Sequence, residues 1–133
     1  MRTLHLIDSI TEIVSAMGGG VIVSGSHGGR SAAAFALAVR PAPHAVFFND
    51  AGVGKEGAGI VALQGLEQAG IAAAAYSHNS ARIGDALDGL ECGVVTALNA
   101  VALAAGLAAG QAVAEAVALL RKETAEAAAC ALR

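Results

Sequence analysis

The stretch Val21-Ile22-Val23-Ser24-Gly25-Ser26-His27-Gly28-Gly29-Arg30 decides how this chain is read. Three β-branched residues in succession suit a buried strand, since branching at Cβ fits a pleated surface and restricts a helix. A glycine- and serine-rich segment then ends the strand. Arg30 to Val39 follows as an alanine-rich helix, stopped by Arg40-Pro41-Ala42-Pro43. Strand, polar loop and helix form one unit.

The same unit recurs downstream. His44 to Phe48 reads as a second strand, Asn49 to Gly57 as its exit loop, and Ala58 to Ala69 as a helix closed by Gly70. Ile71 to Tyr76 reads as a third strand, leaving through Ser77 to Asp85. Upstream, Leu6, Ile10, Ile13, Val14 and Met17 recur at helical spacing, so Leu4 to Met17 is expected to be an amphipathic helix ended by Gly18-Gly19-Gly20. Downstream, Gly93 to Ala105 and Gln111 to about Leu132 are expected to be closing helices. Strands alternating with helices predict an α/β fold with a small, mainly parallel sheet covered on both faces. The expectation is one domain over residues 1–133, three-layer α/β/α, Rossmann-like or flavodoxin-like. It has three strands, with room for a fourth within Leu87 to Val95.

Composition narrows the function. The 133 residues are 56% hydrophobic and 14% charged, with a net charge of −3, against about 25% charged in an average soluble protein. That excludes a disordered chain. Few aromatics and an acidic balance argue against nucleic-acid binding. The longest apolar stretch, Val94 to Ala118, is interrupted by Thr96, Asn99, Gln111 and Glu115 and is mostly alanine, so no membrane role is expected. Asp8 and Glu12 break any signal-peptide core, and the chain is expected to be cytoplasmic. The helices from Ser31 to Val39, Ala58 to Ala69 and Gly93 to Ala109 carry a single charge, Glu67. Helices without a polar stripe are expected to pack between subunits of a homo-oligomer.

In a parallel sheet, ligands bind beyond the carboxyl ends of the strands. All three exits carry the chain's polar residues. At the first, Gly28, Gly29 and Arg30 open a helix and could receive an anion, with Ser26 as nucleophile or oxyanion donor and His27 as base. The dinucleotide pattern fails, because His27 and Arg30 stand where glycines are needed. At the second, Gly52-Val53-Gly54-Lys55 resembles a nucleotide-binding loop but has Asn49 and Glu56 at its required glycine and hydroxyl positions. No cofactor is therefore expected. Lys55 can pair with a substrate anion or act as a base, and Asn49 and Asp50 can orient a proton carrier. At the third, Ser77-His78 echoes Ser26-His27, which would place both imidazoles over one pocket. Arg82 and Asp85 are three apart and can pair, or contact substrate. Two histidines without a third ligand at diagnostic spacing give no metal site.

Cys92, ahead of an expected helix, is either a thiol activated by the helix N-terminus or a small buried hydrophobe. Asn99, alone in an apolar helix, needs a hydrogen-bond partner and is expected at a subunit interface. The expected function is a small oligomeric enzyme acting on a compact anionic or amide-containing metabolite, by hydrolysis or by lyase or isomerase proton transfer. Ser26, His27, Lys55, Ser77, His78 and Asp50 would act in catalysis. Gly28, Gly29, Arg30, Asn49, Arg82 and Asp85 would bind substrate. The alternative is a non-catalytic subunit that binds a small anion or serves assembly.

Overall fold

The computed structural model describes residues 1–122. It is an α/β structure around one five-stranded sheet in the order β1-β2-β3-β4-β5. The strands are β1 (Leu4–Ile7), β2 (Val21–His27), β3 (Ala45–Asn49), β4 (Ala72–Tyr76) and β5 (Val95–Leu98). The first four are parallel, and β5 is antiparallel to β4. The helices are α1 (Arg30–Leu37), α2 (Ala62–Gln68), α3 (Ala86–Cys92), α4 (Ala100–Ala104) and α5 (Val113–Leu120).

The central strands read as continuous apolar runs because both faces are covered. Ile22, Val46, Phe48, Ala73 and Ala75 pack with Ala32, Ala36, Leu63 and Leu66 of α1 and α2. The alternate residues Val21, Val23, Ala45, Phe47 and Ala74 pack with Val113, Ala116, Val117 and Leu120 of α5. Each large buried side chain contributes about 1.5–3 kcal/mol. Parallel strands laid down in sequence order need crossovers of one hand, which puts successive connections on one side. Accordingly Ile10, Ile13, α1 and α2 share a single core. The parallel strands run in simple order, without the reversal that splits a doubly wound sheet.

Three expectations about elements are corrected. Leu4–Ile7 is an edge strand rather than the start of a helix, paired Leu4 to Val21 and Ile7 to Ser24. The helical spacing came from three short pieces, β1 and the 3-10 turns Ile10–Glu12 and Ser15–Met17. Ser9 caps a short 3-10 turn, Ile10–Glu12, and the Glu12 carboxylate accepts from Ser9 N–H at 2.8 Å. This reciprocal cap starts helical structure at Ser9 and leaves Leu4–Ile7 outside it. Second, the segment expected as a helix from Gly93 to Ala105 is β5 followed by α4. Asn99 divides them, with its side chain accepting from Ala102 N–H. The extra strand therefore lies at Val95–Leu98, while most of Leu87 to Val95 belongs to α3. Third, α2 begins at Ala62, and a 3-10 turn, Lys55–Gly57, precedes it. The expected last helix is α5 up to Leu120, and its continuation to Leu132 lies outside the described residues, as does Cys130. Among the described residues no helix is long and apolar enough to cross a membrane.

Candidate functional site

The carboxyl edge of the sheet gathers Asp8 after β1, His27 at the end of β2, Asn49 and Asp50 at the end of β3, and Ser77 and His78 after β4. Because β5 is antiparallel, its first residues reach the same edge. Across β4 and β5, Ala75 pairs with Ala97 and Tyr76 with Val95, so Thr96 is the extra residue of a bulge. Bulges re-aim side chains, and Thr96 is directed at Asp50.

Asp50 is 4% exposed and collects four hydrogen bonds. Its Oδ1 accepts from Gly52 N–H at 2.8 Å and His78 N–H at 3.0 Å, and lies 3.2 Å from His78 Nδ1. Its Oδ2 accepts from Thr96 Oγ1 at 2.9 Å. Burial pushes the Asp50 carboxyl upward, but the bonds from Gly52, His78 and Thr96 outweigh it and hold the pKa below the ordinary value. A carboxylate at Nδ1 selects the tautomer with the proton there, which puts the ring's lone pair on Nε2. The His78 side chain is 47% exposed.

The loop after Asp50 is wound unusually. Ala51, Val53 and Glu56 have φ of 52°, 67° and 57°, which is a real outlier for a β-branched residue such as Val53. Gly54 N–H donates to Gly52 C=O at 2.8 Å, placing Val53 at the centre of a γ-turn. The loop is held in place by Gly59. Its N–H donates to Val53 C=O at 2.5 Å, and a Cβ there would overlap the Asp50 carbonyl oxygen. Strained backbone persists only where its surroundings over-determine it.

A second feature opens on the other side of this loop. His27, Gly29, Arg30, Ser31, Lys55 and Glu56 line most of a cleft of about 420 Å³. Between Val23 and His27 the β2–β3 register shifts, which turns the end of β2 toward the cleft. A Cβ at Gly29 would lie 2.7 Å from His27 Nε2, so the imidazole sits close against this glycine.

The structure thus separates the expected site residues into three sets. His27, Gly29, Arg30 and Lys55 share the cleft. Asp50 and His78 form a dyad outside it. In register, His27 pairs with Asn49 and Asn49 with Tyr76, so the two histidines stand two strands apart, about 10 Å in the sheet direction. They do not share one pocket. The remaining residues serve locally. Ser26 Oγ accepts from Ile10 N–H at 2.9 Å, and Ser77 Oγ from Asn79 N–H at 3.0 Å. Gly28 N–H donates to Gly59 C=O at 2.8 Å. Buried Asn49 donates to Ala81 C=O and accepts from Ala51 N–H. Arg82 N–H donates to Asp88, and Asp85 caps α3 by accepting from Asp88 N–H at 3.0 Å.

Two further readings are corrected. Cys92 is exposed and closes α3 rather than opening a helix. The Asp88 carboxylate beside it, with its charge and that of Glu91, pushes the thiol upward, against activation. Asn99 is satisfied within the chain: it donates to Leu63 and Ile71 C=O and accepts from Ala73 and Ala102 N–H. It ties α2, β4 and α4 together instead of marking an interface. Thr96 was missed because it fell in a segment read as helix, and only an antiparallel β5 brings it to Asp50. Among the described residues no group of three or more His, Cys, Asp or Glu is placed to hold a metal ion. No family model, curated protein or solved structure matches this chain.

Proposed function

We propose that this protein is a small enzyme that uses His78 as a general base on a compact anionic or amide-containing metabolite. The observation that supports it is the Asp50–His78 pair: a buried carboxylate at Nδ1 of a half-exposed imidazole, which leaves the ring's basic lone pair on Nε2. Nε2 would take a proton from water or from an acidified substrate bond. Asp50 would stabilise the imidazolium so formed, and the proton would pass on to the leaving atom. Hydrolysis and lyase or isomerase chemistry both fit this step. Lys55 and Arg30 would neutralise substrate charge from the neighbouring cleft. In this reading the architecture is three-layer α/β/α, and the protein works in the cytoplasm as a homo-oligomer joined through its uncharged helix faces.

One observation favours the non-catalytic alternative. Every bond that Asp50 receives also fastens the 51–59 loop, β4 and β5 to one another, so the carboxylate has a structural task of its own. Turnover separates the readings. A panel of small carboxylates, amides and phosphate esters would be incubated with wild type and with His78→Gln, and products followed by proton NMR. Catalysis predicts a substrate whose conversion falls about 10²- to 10⁴-fold in the variant. Conversion that is absent, or equal in both proteins, removes the enzyme reading.

A further inference from the structure

We infer that the cleft beside the strained loop is a binding site for the phosphate group of a small phosphorylated molecule. This names the substrate class for the proposed strand-exit site and rests on that reading, though not on the role of His78. Arg30 and Lys55 come from different strand exits and converge on one cleft. Neither side chain has a hydrogen-bond or ion-pair partner among the described residues. His27 joins them in the lining, its ring beside Gly29. Glu56 is the one acid in the lining, so with His27 neutral the cleft is cationic in a chain whose net charge is −3.

The loop geometry explains why these charges stay together. Lys55 and Glu56 lie between two tethers, the Asp50 carboxylate on Gly52 N–H and the Gly59 N–H on Val53 C=O. Gly28, next to the other wall, is bound to Gly59 C=O at 2.8 Å. Gly59 therefore connects the Lys55 loop and the start of α1, the two segments that bring Lys55 and Arg30 to the cleft. A lone bidentate arginine satisfies a planar carboxylate. Separate cations on two walls suit a tetrahedral oxyanion, which offers oxygens in several directions. A volume of about 420 Å³ falls in the range of small-molecule sites, about 300–1,000 Å³. It leaves room for an organic group beyond the phosphate.

The test uses the full chain, isotopically labelled, titrated with inorganic phosphate at constant ionic strength and followed by amide correlation spectra. Saturable shifts are expected at Gly29, Arg30, Ser31 and Lys55. The half-saturation concentration should rise at least tenfold in Arg30→Gln and in Lys55→Gln and stay unchanged in His78→Gln. Both substituted side chains are exposed, and the spectra themselves report that the variants are folded. Shifts that do not saturate, that spread equally to Arg40, Arg82 and Lys122, or that persist unchanged in both cleft variants would overturn the inference. So would acetate binding as tightly as phosphate, or loss of binding in His78→Gln. A wild-type protein that binds phosphate saturably but converts none of the panel would count against the base and not against this site.

Discussion

Thr96 Oγ1 donates a 2.9 Å hydrogen bond to Asp50 Oδ2, joining the bulge of the antiparallel edge strand to the end of β3. This bond occupies the carboxylate oxygen that His78 leaves free. It therefore fixes the rotation of Asp50, and through Asp50 the position of the imidazole. Replacing Thr96 by valine keeps the shape and removes the donor. Hydrogen bonds to charged groups contribute about 1.5–3 kcal/mol. Thr96→Val is expected to lose about that much in urea unfolding, whereas His78→Gln, at a half-exposed position, should lose under about 1 kcal/mol. Equal losses would mean that the carboxylate is held mainly by the main chain.

The same network sets a pH dependence. Asp50 is held below its ordinary pKa of 3.8, so the unfolded chain binds the proton more tightly than the native one. The stabilisation is then complete above that ordinary value and is lost as pH falls through the lower, folded value. Asp50→Asn cannot titrate. The gap in urea midpoint between wild type and Asp50→Asn should be constant from neutral pH down to about pH 4 and narrow below it. A gap that stays constant well below about pH 4 would show that the Asp50 carboxylate is not held below its ordinary value.

Much of this edge was legible in the sequence. The contrast between apolar runs and the polar segments that follow placed β3 and β4 with their exits and the start of β2, but β2 itself runs on through Ser24-Gly25-Ser26 to His27. β1 was not legible, because Leu4 to Ile7 gives only four residues of pattern and Leu6 also falls at helical spacing from Ile10. The Ser9–Glu12 capping box was the available signal. β5 was hidden by alanine, which suits a helix by propensity, and tertiary pairing with β4 overrides that preference. The Ser-His repeat suggested one shared pocket. Separation of the two imidazoles depends on the registers of His27 with Asn49 and of Asn49 with Tyr76, which pairwise similarity of loops does not reveal.

Two glycines near the site should respond oppositely to alanine. At Gly59 a Cβ meets the main-chain oxygens of Asp50 and Val53, which cannot swing aside. Gly59→Ala is expected to cost about 1–3 kcal/mol from overpacking and to disturb the amide signals from Asp50 to Gly57. At Gly65, within α2, a Cβ meets only Ala33 Cβ at 3.5 Å, an ordinary contact. Gly65→Ala should stabilise by up to about 1 kcal/mol through helix propensity. Chemical denaturation of both variants checks the pair, and a tolerated Gly59→Ala would show that the strained loop is not pinned where the structure has it.

Asn99 offers a test of whether the uncharged helices need a polar contact between subunits. Its amide is 5% exposed and makes four bonds, to Leu63, Ile71, Ala73 and Ala102. Alanine would leave these main-chain groups without their partner in a region water does not reach, and each buried unsatisfied group costs about 1–3 kcal/mol. Relaxation recovers part of that sum. The expected loss in Asn99→Ala is at least about 2 kcal/mol, with the sedimentation coefficient of the folded fraction unchanged, because every partner lies in the same chain. Aspartate at the same position keeps the acceptor for Ala73 and Ala102 but cannot donate to Leu63 and Ile71, so Asn99→Asp should be at least as damaging. A variant that remains stable while its sedimentation changes would return Asn99 to an interface.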